Sequence, residues 1–199
     1  MIDASIAGLL TGLSLIVAIG AQNAYVLRQG ILRSHVGAVV AQCTIADVIL
    51  ISAGVGGVGA LVDRAHGLLT VLRWIGVAFL VWYAVSSLRR ALHAEALAAA
   101  DAGREPLGKV LAKIAALTWL NPHVYLDTLV FHGSIAATYG DMRWWFALGA
   151  CVASAIWFAG LGYGAALAAP LLASPRAWRV LDIVIAVTML GIAVRLAFF

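Results

Sequence analysis

The sequence has 199 residues, of which 64% are hydrophobic and only 11% are charged, and its mean hydropathy is +1.02. A soluble globular protein needs more polar residues to cover its surface, so this composition excludes a soluble domain and indicates an integral membrane protein. The formal net charge of +4 does not indicate nucleic-acid binding, because basic residues in a membrane protein mostly set its orientation.

Apolar stretches about as long as a transmembrane helix recur along the chain, and together they predict an all-α fold. The six predicted spans cover residues 6–27, 36–61, 68–88, 110–131, 145–168 and 178–196. The first lacks the basic lead and the cleavage site of a signal peptide, so we expect it to be retained. Its Gly8 and Gly12 have the spacing that lets two helix backbones approach closely.

The fourth predicted span is interrupted by Asn121 and Pro122. Proline lacks an N–H and begins a helix more readily than it continues one, while asparagine caps exposed N–H groups. A weaker polar interruption lies in the first span at Gly20, Gln22 and Asn23. Because irregular backbone survives at membrane depth only beside protein or a wet cavity, such breaks are typical of transporter binding sites.

The two halves of the chain resemble each other. The tripeptides centred on Tyr25 and Tyr125 each follow the helix break in their half of the chain. Either tyrosine ring could lie over a cation, although aromatic packing is the commoner role. Three spans in each half would make the second half enter the membrane from the opposite side. We therefore predict one transporter domain of two inverted three-helix repeats, about 1–88 and 109–199, with broken first and fourth helices and a polar loop at 89–108.

The distribution of basic residues predicts the orientation. Nine of the 13 Lys and Arg residues fall in the first, third and fifth connections: Arg28, Arg33, Arg89, Arg90, Arg104, Lys109, Lys113, Arg176 and Arg179. Cytoplasmic loops carry an excess of Lys and Arg, so these connections should be cytoplasmic and both termini external.

Two acids are the main candidates for the site. Asp47 lies near the middle of the second span, where an ionised carboxylate costs at least about 2.5 kcal/mol and must face a cavity, a substrate or an arginine partner. Asp127 follows Pro122 by about one and a half turns, near the substrate pocket or the external mouth. Asp182 is expected to be interfacial and to have a structural role, and His132 is also expected to be interfacial. We predict that Asp47 and Asp127 bind substrate and that Asp47 also carries a coupling proton.

Polar residues at the two breaks complete the expected site. The N-terminus of a half-helix carries a partial positive charge and free N–H groups, which suits a carboxylate. Gln22, Asn23 and Asn121 are therefore expected to contact the substrate. His123 titrates near neutral pH and is the second candidate for the coupling proton, with hydrogen-bonded packing as the alternative.

Several motifs surround these candidates: Gly20-Ala21-Gln22-Asn23, Arg28-Gln29-Gly30-Ile31, Asp47-Val48, the stretch from Thr118 to Asp127, Tyr139-Gly140-Asp141 and residues 154–158. Together they resemble the basic amino acid exporters of the LysE type over nearly the whole chain. The resemblance implies a bacterial inner-membrane exporter of L-lysine and L-arginine that is driven by an ion gradient or the membrane potential. One departure is Ala21, where the family usually has Pro, which implies a milder first break or an altered substrate range.

Two alternative functions remain open. A divalent-metal exporter would need several clustered oxygen ligands, which the spans do not offer. A thiol–disulfide electron carrier would use Cys43 and Cys151, which lie among apolar neighbours without a CxxC motif. We therefore predict a transporter that is not an enzyme and has no cofactor or resident metal. Its expected partners are a basic amino acid, a proton or other coupling ion and the bilayer, with no nucleic acid, and the glycine-rich faces are compatible with a homodimer.

Overall fold

The computed structural model describes residues 1–17, 20–58, 66–92, 105–172 and 175–198, and the regular structure in these ranges is helical. A π-helical turn at Gly54–Val58 follows the helix Val36–Ala53. Short 3-10 turns at Gly140–Met142 and Ala169–Leu172 lie before and after the helix Arg143–Ala168. The described ranges contain eight helices: α1 (Ile2–Ile16), α2 (Ala21–Ile31), α3 (Val36–Ala53), α4 (His66–Leu92), α5 (Leu107–Trp119), α6 (Pro122–Tyr125, continued by Leu126–Phe131 and His132–Ala137), α7 (Arg143–Ala168) and α8 (Pro175–Phe198).

The chain breaks at both places where the sequence predicts an interruption. Helices α1 and α2 are inclined at 83° to each other, and Gly20 has an extended backbone and begins α2 as its N-cap. Helix α5 ends at Trp119 and α6 begins at Pro122, because proline cannot donate the hydrogen bond that would continue α5. The backbone between these helices therefore carries polar groups into an apolar bundle.

Three of the described helical segments are long and apolar enough to cross a membrane, namely Val36–Gly57, Gly140–Ala168 and Arg179–Phe198. They correspond to the predicted second, fifth and sixth spans. The pair α1 and α2 meets the same criteria as a fourth if it is taken as one bent span. The chain is thus an all-helical membrane protein, while the count of six spans and the inverted repeat stay predictions.

Helix α7 lies at the centre of the bundle and contacts α1, α2 and α3, while α4 packs along α8. The contact between α1 and α7 is unusually close because glycines face backbone on both helices. A Cβ on Gly8 would lie 1.9 Å from the Phe146 carbonyl oxygen, and a Cβ on Gly149 would lie 1.9 Å from that of Ser5. The predicted close-packing role is therefore confirmed for Gly8, since any side chain there would overlap backbone.

One prediction about a charged residue is wrong: Arg28 was expected in a loop, but it lies in α2, which continues to Ile31. Asp182 was expected to be an interfacial acid with a structural role, and it is 1% exposed and lies beside the buried Arg28. The Arg28 Nε lies 3.6 Å from the Asp182 Oδ1. Opposite charges can be buried when they compensate each other. This pair joins α2 to α8, which are far apart in the sequence, so no local sequence pattern predicts the contact.

The three basic connections meet at one end of the bundle. Side chains from these regions reach backbone carbonyls across it: His35 to Glu105 (3.1 Å), Arg33 to Ala166 (2.9 Å) and Arg179 to Ala91 (3.2 Å). Arg89 and Arg90 lie in the last turns of α4 and Lys109 and Lys113 in α5, so the predicted loop 89–108 is partly helical; Arg104 lies outside the described residues. Basic residues are therefore concentrated at one end of the bundle. The cytoplasmic location of this end stays a prediction.

Candidate substrate-binding cavity

A cavity of about 390 Å³ lies between the two helix breaks, within the usual range of about 300–1,000 Å³ for small-ligand pockets. Helices α1, α2, α3, α6, α7 and α8 all contribute to its wall. Its polar lining residues are Ser14, Gln22, Asn23, Asp47, Asn121, Asp127, Thr128, His132, Ser154 and Arg195. The breaks thus open onto a polar chamber inside an otherwise apolar bundle.

Most of the candidates from the sequence meet in this cavity. Those that line it are Gly20, Gln22, Asn23, Asp47, Asn121 and Asp127. Tyr25 and Tyr125 are not among the lining residues. The backbone of Pro122 and His123 belongs to α6, but their side chains lie outside the described part of the chain. The structure therefore brings together candidate residues from α2, α3 and α6 and from the breaks before α2 and α6, although these residues are up to about 100 positions apart in the sequence.

Asp47 is held at the cavity wall by a contact between α3 and α7. It is 5% exposed, and its Oδ2 accepts a hydrogen bond from the Ser154 Oγ at 2.7 Å. No Arg or Lys of the described residues forms an ion pair with it. Because a neutral hydroxyl cannot balance a full negative charge in a medium of low polarity, this carboxylate favours a cationic ligand or a proton.

Asn23 stabilises the first break. Its Nδ2 donates to the Ile16 carbonyl at 2.7 Å, and its Oδ1 accepts a hydrogen bond from the Trp157 Nε1 at 3.3 Å. The end of a helix leaves carbonyl oxygens without intrahelical donors, so this amide satisfies one such group of α1 from the first turn of α2. Asn23 therefore holds α1, α2 and α7 together while its side chain lines the cavity.

The two tyrosines make structural contacts beside the cavity. The Tyr125 hydroxyl donates to the Trp119 carbonyl at 2.7 Å and so connects α6 to the last residue of α5 across the second break. Tyr25 is fully buried, with its ring edge-on to Tyr83 at a centroid distance of 5.9 Å. Each ring thus supports the part of the chain next to a break.

The substitution Tyr125→Phe should lower the free energy of unfolding by about 0.5–1.5 kcal/mol, because it removes one hydrogen bond and keeps the ring. The melting temperature of the purified protein in detergent is the measurement, with Tyr163→Phe as control because Tyr163 is 51% exposed. The KM for transport should be unchanged. A KM that rose severalfold with an unchanged melting temperature would show instead that the hydroxyl contacts substrate.

The prediction of an interfacial His132 is wrong. This residue is 3% exposed and lines the cavity, with its Nδ1 2.6 Å from the Asp127 carbonyl oxygen. A carbonyl only accepts, so Nδ1 carries the proton and Nε2 is an acceptor, which is buried without a hydrogen-bond partner among the described residues. His132 directly follows the π-helical turn Leu126–Phe131 and lines the cavity together with Thr128 of that turn.

Thr128, Ser154 and Arg195 are among the polar cavity residues that the sequence did not indicate. Single hydroxyl residues are common in membrane helices, so Thr128 and Ser154 offered no distinguishing signal. Arg195 is a basic residue at the end of a span, a position at which Arg and Lys usually extend to the membrane interface. Only the meeting of α6, α7 and α8 at the cavity distinguishes the three.

The structure also bears on the two alternatives. Among the residues that it describes, no group of three or more His, Cys, Asp or Glu side chains is arranged to hold a metal ion. Cys43 and Cys151 are free thiols, and neither lines the cavity. The geometry therefore gives no specific support to metal export or to thiol–disulfide exchange.

Helices that break at the wall of a polar cavity, in a bundle apolar enough to lie in lipid, define a membrane transport protein rather than an enzyme. The profile of the LysE type translocators matches residues 13–198, so the chain belongs to this family.

Three relatives cover nearly the whole chain. A Mycobacterium bovis protein that is provisionally named an amino-acid transporter is 48% identical over 92% of this chain and 90% of its own length. The lysine exporter LysE of Corynebacterium efficiens is 41% identical over 96% of both chains, and the arginine exporter protein ArgO of Pectobacterium carotovorum subsp. carotovorum is 42% identical over 96% and 94%. No solved structure matches the chain significantly.

Proposed function

We propose that this protein exports L-lysine, L-arginine or both across the bacterial inner membrane, as a secondary transporter that works by alternating access. The observation that carries the proposal is that Asp47 and Asp127 line one cavity between the two helix breaks. Two carboxylates in a confined site suit a substrate with two cationic groups, because charge attraction is stronger away from bulk water. The names of the lysine and arginine exporters among the relatives support the same substrate class.

In this proposal, the two carboxylates bind the α-ammonium group and the cationic side chain of the substrate. The amides of Gln22, Asn23 and Asn121 add hydrogen bonds to its polar groups, next to the N–H groups that the break at Gly20 leaves at the start of α2. Tyr25 and Tyr125 act from outside the cavity by supporting the two breaks.

Export of a cation needs an energy source. Moving one positive charge outward against 100 mV costs about 2.3 kcal/mol, and a proton that moves inward would offset this cost. We assign the coupling proton to Asp47, because its carboxylate has no basic partner among the described residues. His123 is the second candidate, on the ground of its position directly after the second break.

We also propose that the bundle has six spans in two inverted repeats, with both termini external. The helix contacts are reciprocal between the halves: α1 packs on α7 and α5 on α3, while α4 packs on α8. A pseudo-two-fold axis in the membrane plane would produce such pairing. The basic end of the bundle supports the orientation, since positive loops favour the cytoplasm. Association into a homodimer stays a prediction.

The proposal is tested by loading proteoliposomes with labelled arginine, lysine or leucine and following release with and without an imposed potential and pH gradient. We expect rapid release of at least one basic amino acid, an effect of the gradient on its rate, and little release of leucine. Liposomes with labelled Mn²⁺ test the metal alternative in the same format. Release of leucine or Mn²⁺, but of neither basic amino acid, would overturn the proposed substrate class.

A further inference from the structure

One cavity residue has a charge opposite to that of the two acids. Arg195 lies in the last turn of α8 and lines the cavity together with Asp47, Asp127 and Asn121. Its side chain forms no hydrogen bond or ion pair within the part of the chain that the structure describes. Among the described lining residues it is the one with a permanent positive charge, because a guanidinium does not lose its proton in proteins.

The charges of the cavity wall mirror those of a free basic amino acid. Such a substrate has two cationic groups, its α-ammonium and its side chain, and one anionic α-carboxylate near neutral pH. The wall offers two carboxylates and one guanidinium. An amine of similar length that lacks the carboxylate would satisfy both acids but would offer the guanidinium no anionic group to bind.

We propose that Arg195 binds the α-carboxylate of the substrate and thereby makes the cavity selective for amino acids over decarboxylated amines. The planar guanidinium can form two parallel hydrogen bonds to a carboxylate, which adds direction to the charge attraction. Arg195 is exposed and its side chain has no partner among the described residues, whereas Asp47 is buried and bonded to Ser154. This inference rests on the proposed export of basic amino acids and names the residue that recognises their common group.

Binding to the purified wild-type protein tests the need for the carboxylate without any substitution. Arginine, arginine methyl ester and agmatine should be compared as competitors of labelled arginine. We expect the ester and agmatine, which both lack the negative charge, to compete at least tenfold more weakly. Equal competition by all three would overturn the inference, although export of arginine itself would leave the proposed function intact.

The substitution Arg195→Gln tests the residue. The affinity for arginine should fall at least tenfold while the affinity for agmatine is unchanged or improved. The variant should therefore lose the preference for arginine over agmatine. Arg195→Lys should retain part of the preference, since it keeps the positive charge but lacks the two parallel N–H donors of the guanidinium. It serves as the test if the Gln variant does not fold. Arg143→Gln is the matched control, because Arg143 is exposed on the surface beside Trp144. A variant with the wild-type preference would overturn the inference.

Discussion

Replacing Asp47 by Asn should reduce the efflux of arginine and lysine at least tenfold without unfolding the protein. Loss of one partner from a buried charged contact costs about 2–5 kcal/mol, and about 1.4 kcal/mol corresponds to a factor of ten in affinity. The substitution retains the shape of the side chain and can still accept the hydrogen bond from Ser154, while it removes a charge that is costly to bury. The melting temperature should therefore be unchanged or higher, and initial efflux rates in proteoliposomes give the measurement.

The control for this prediction is Asp141→Asn, which makes the same chemical change at an exposed acid outside the cavity.

Exchange of labelled for unlabelled arginine at equal pH on both sides of the membrane distinguishes proton coupling by Asp47 from substrate binding by Asp47. If Asp47 only carries the coupling proton, exchange should persist in the variant while efflux against the potential is lost. If Asp47 also binds substrate, both should fail. Wild-type efflux with an unchanged pH dependence would contradict both roles.

Replacing Gly149 by Ala should destabilise the bundle by about 3 kcal/mol, at the upper end of the usual range for overpacking. The new methyl carbon would lie 1.9 Å from the Ser5 carbonyl oxygen, and a backbone atom cannot rotate aside as a side chain can. Helices α1 and α7 would have to separate along their contact, which also forms one wall of the cavity. For a protein of this size we expect the melting temperature in detergent to fall by roughly 6–12 °C.

The matched control is Gly160→Ala on the same helix, because a Cβ at Gly160 meets nothing within 4 Å. Alanine in a helix interior is favoured over glycine by about 0.5–1 kcal/mol, so this variant should be as stable as the wild type or slightly more stable. If both variants melt at the wild-type temperature, the close approach of α1 and α7 is incorrect.

Several features followed from the sequence because they depend on local chemistry. The excess of apolar residues required a membrane protein, and the Asn121–Pro122 pair ended one helix and began another wherever it lay in the fold. Asp47 stood out because a carboxylate in the middle of an apolar span is costly unless something compensates it. The break at Gly20 was less evident, since glycine and amides also occur in uninterrupted membrane helices.

Other features depended on contacts between distant segments. Arg28 lies in a helix and pairs with Asp182 rather than standing in a loop, and burial of either charge is acceptable only when the other is beside it. The burial of His132 at the cavity likewise depends on how α6 packs against the other helices, which its own sequence does not reveal.

Local chemistry was enough to predict the membrane class, the two breaks and the two candidate acids, because placing polar groups in an apolar chain is costly. The positions of these groups in the sequence do not reveal whether a charged side chain faces lipid, water or another charge. That depends on contacts between distant helices, and the packing of α3, α6 and α8 around one chamber is what places Arg195 with Asp47 and Asp127 in the cavity wall.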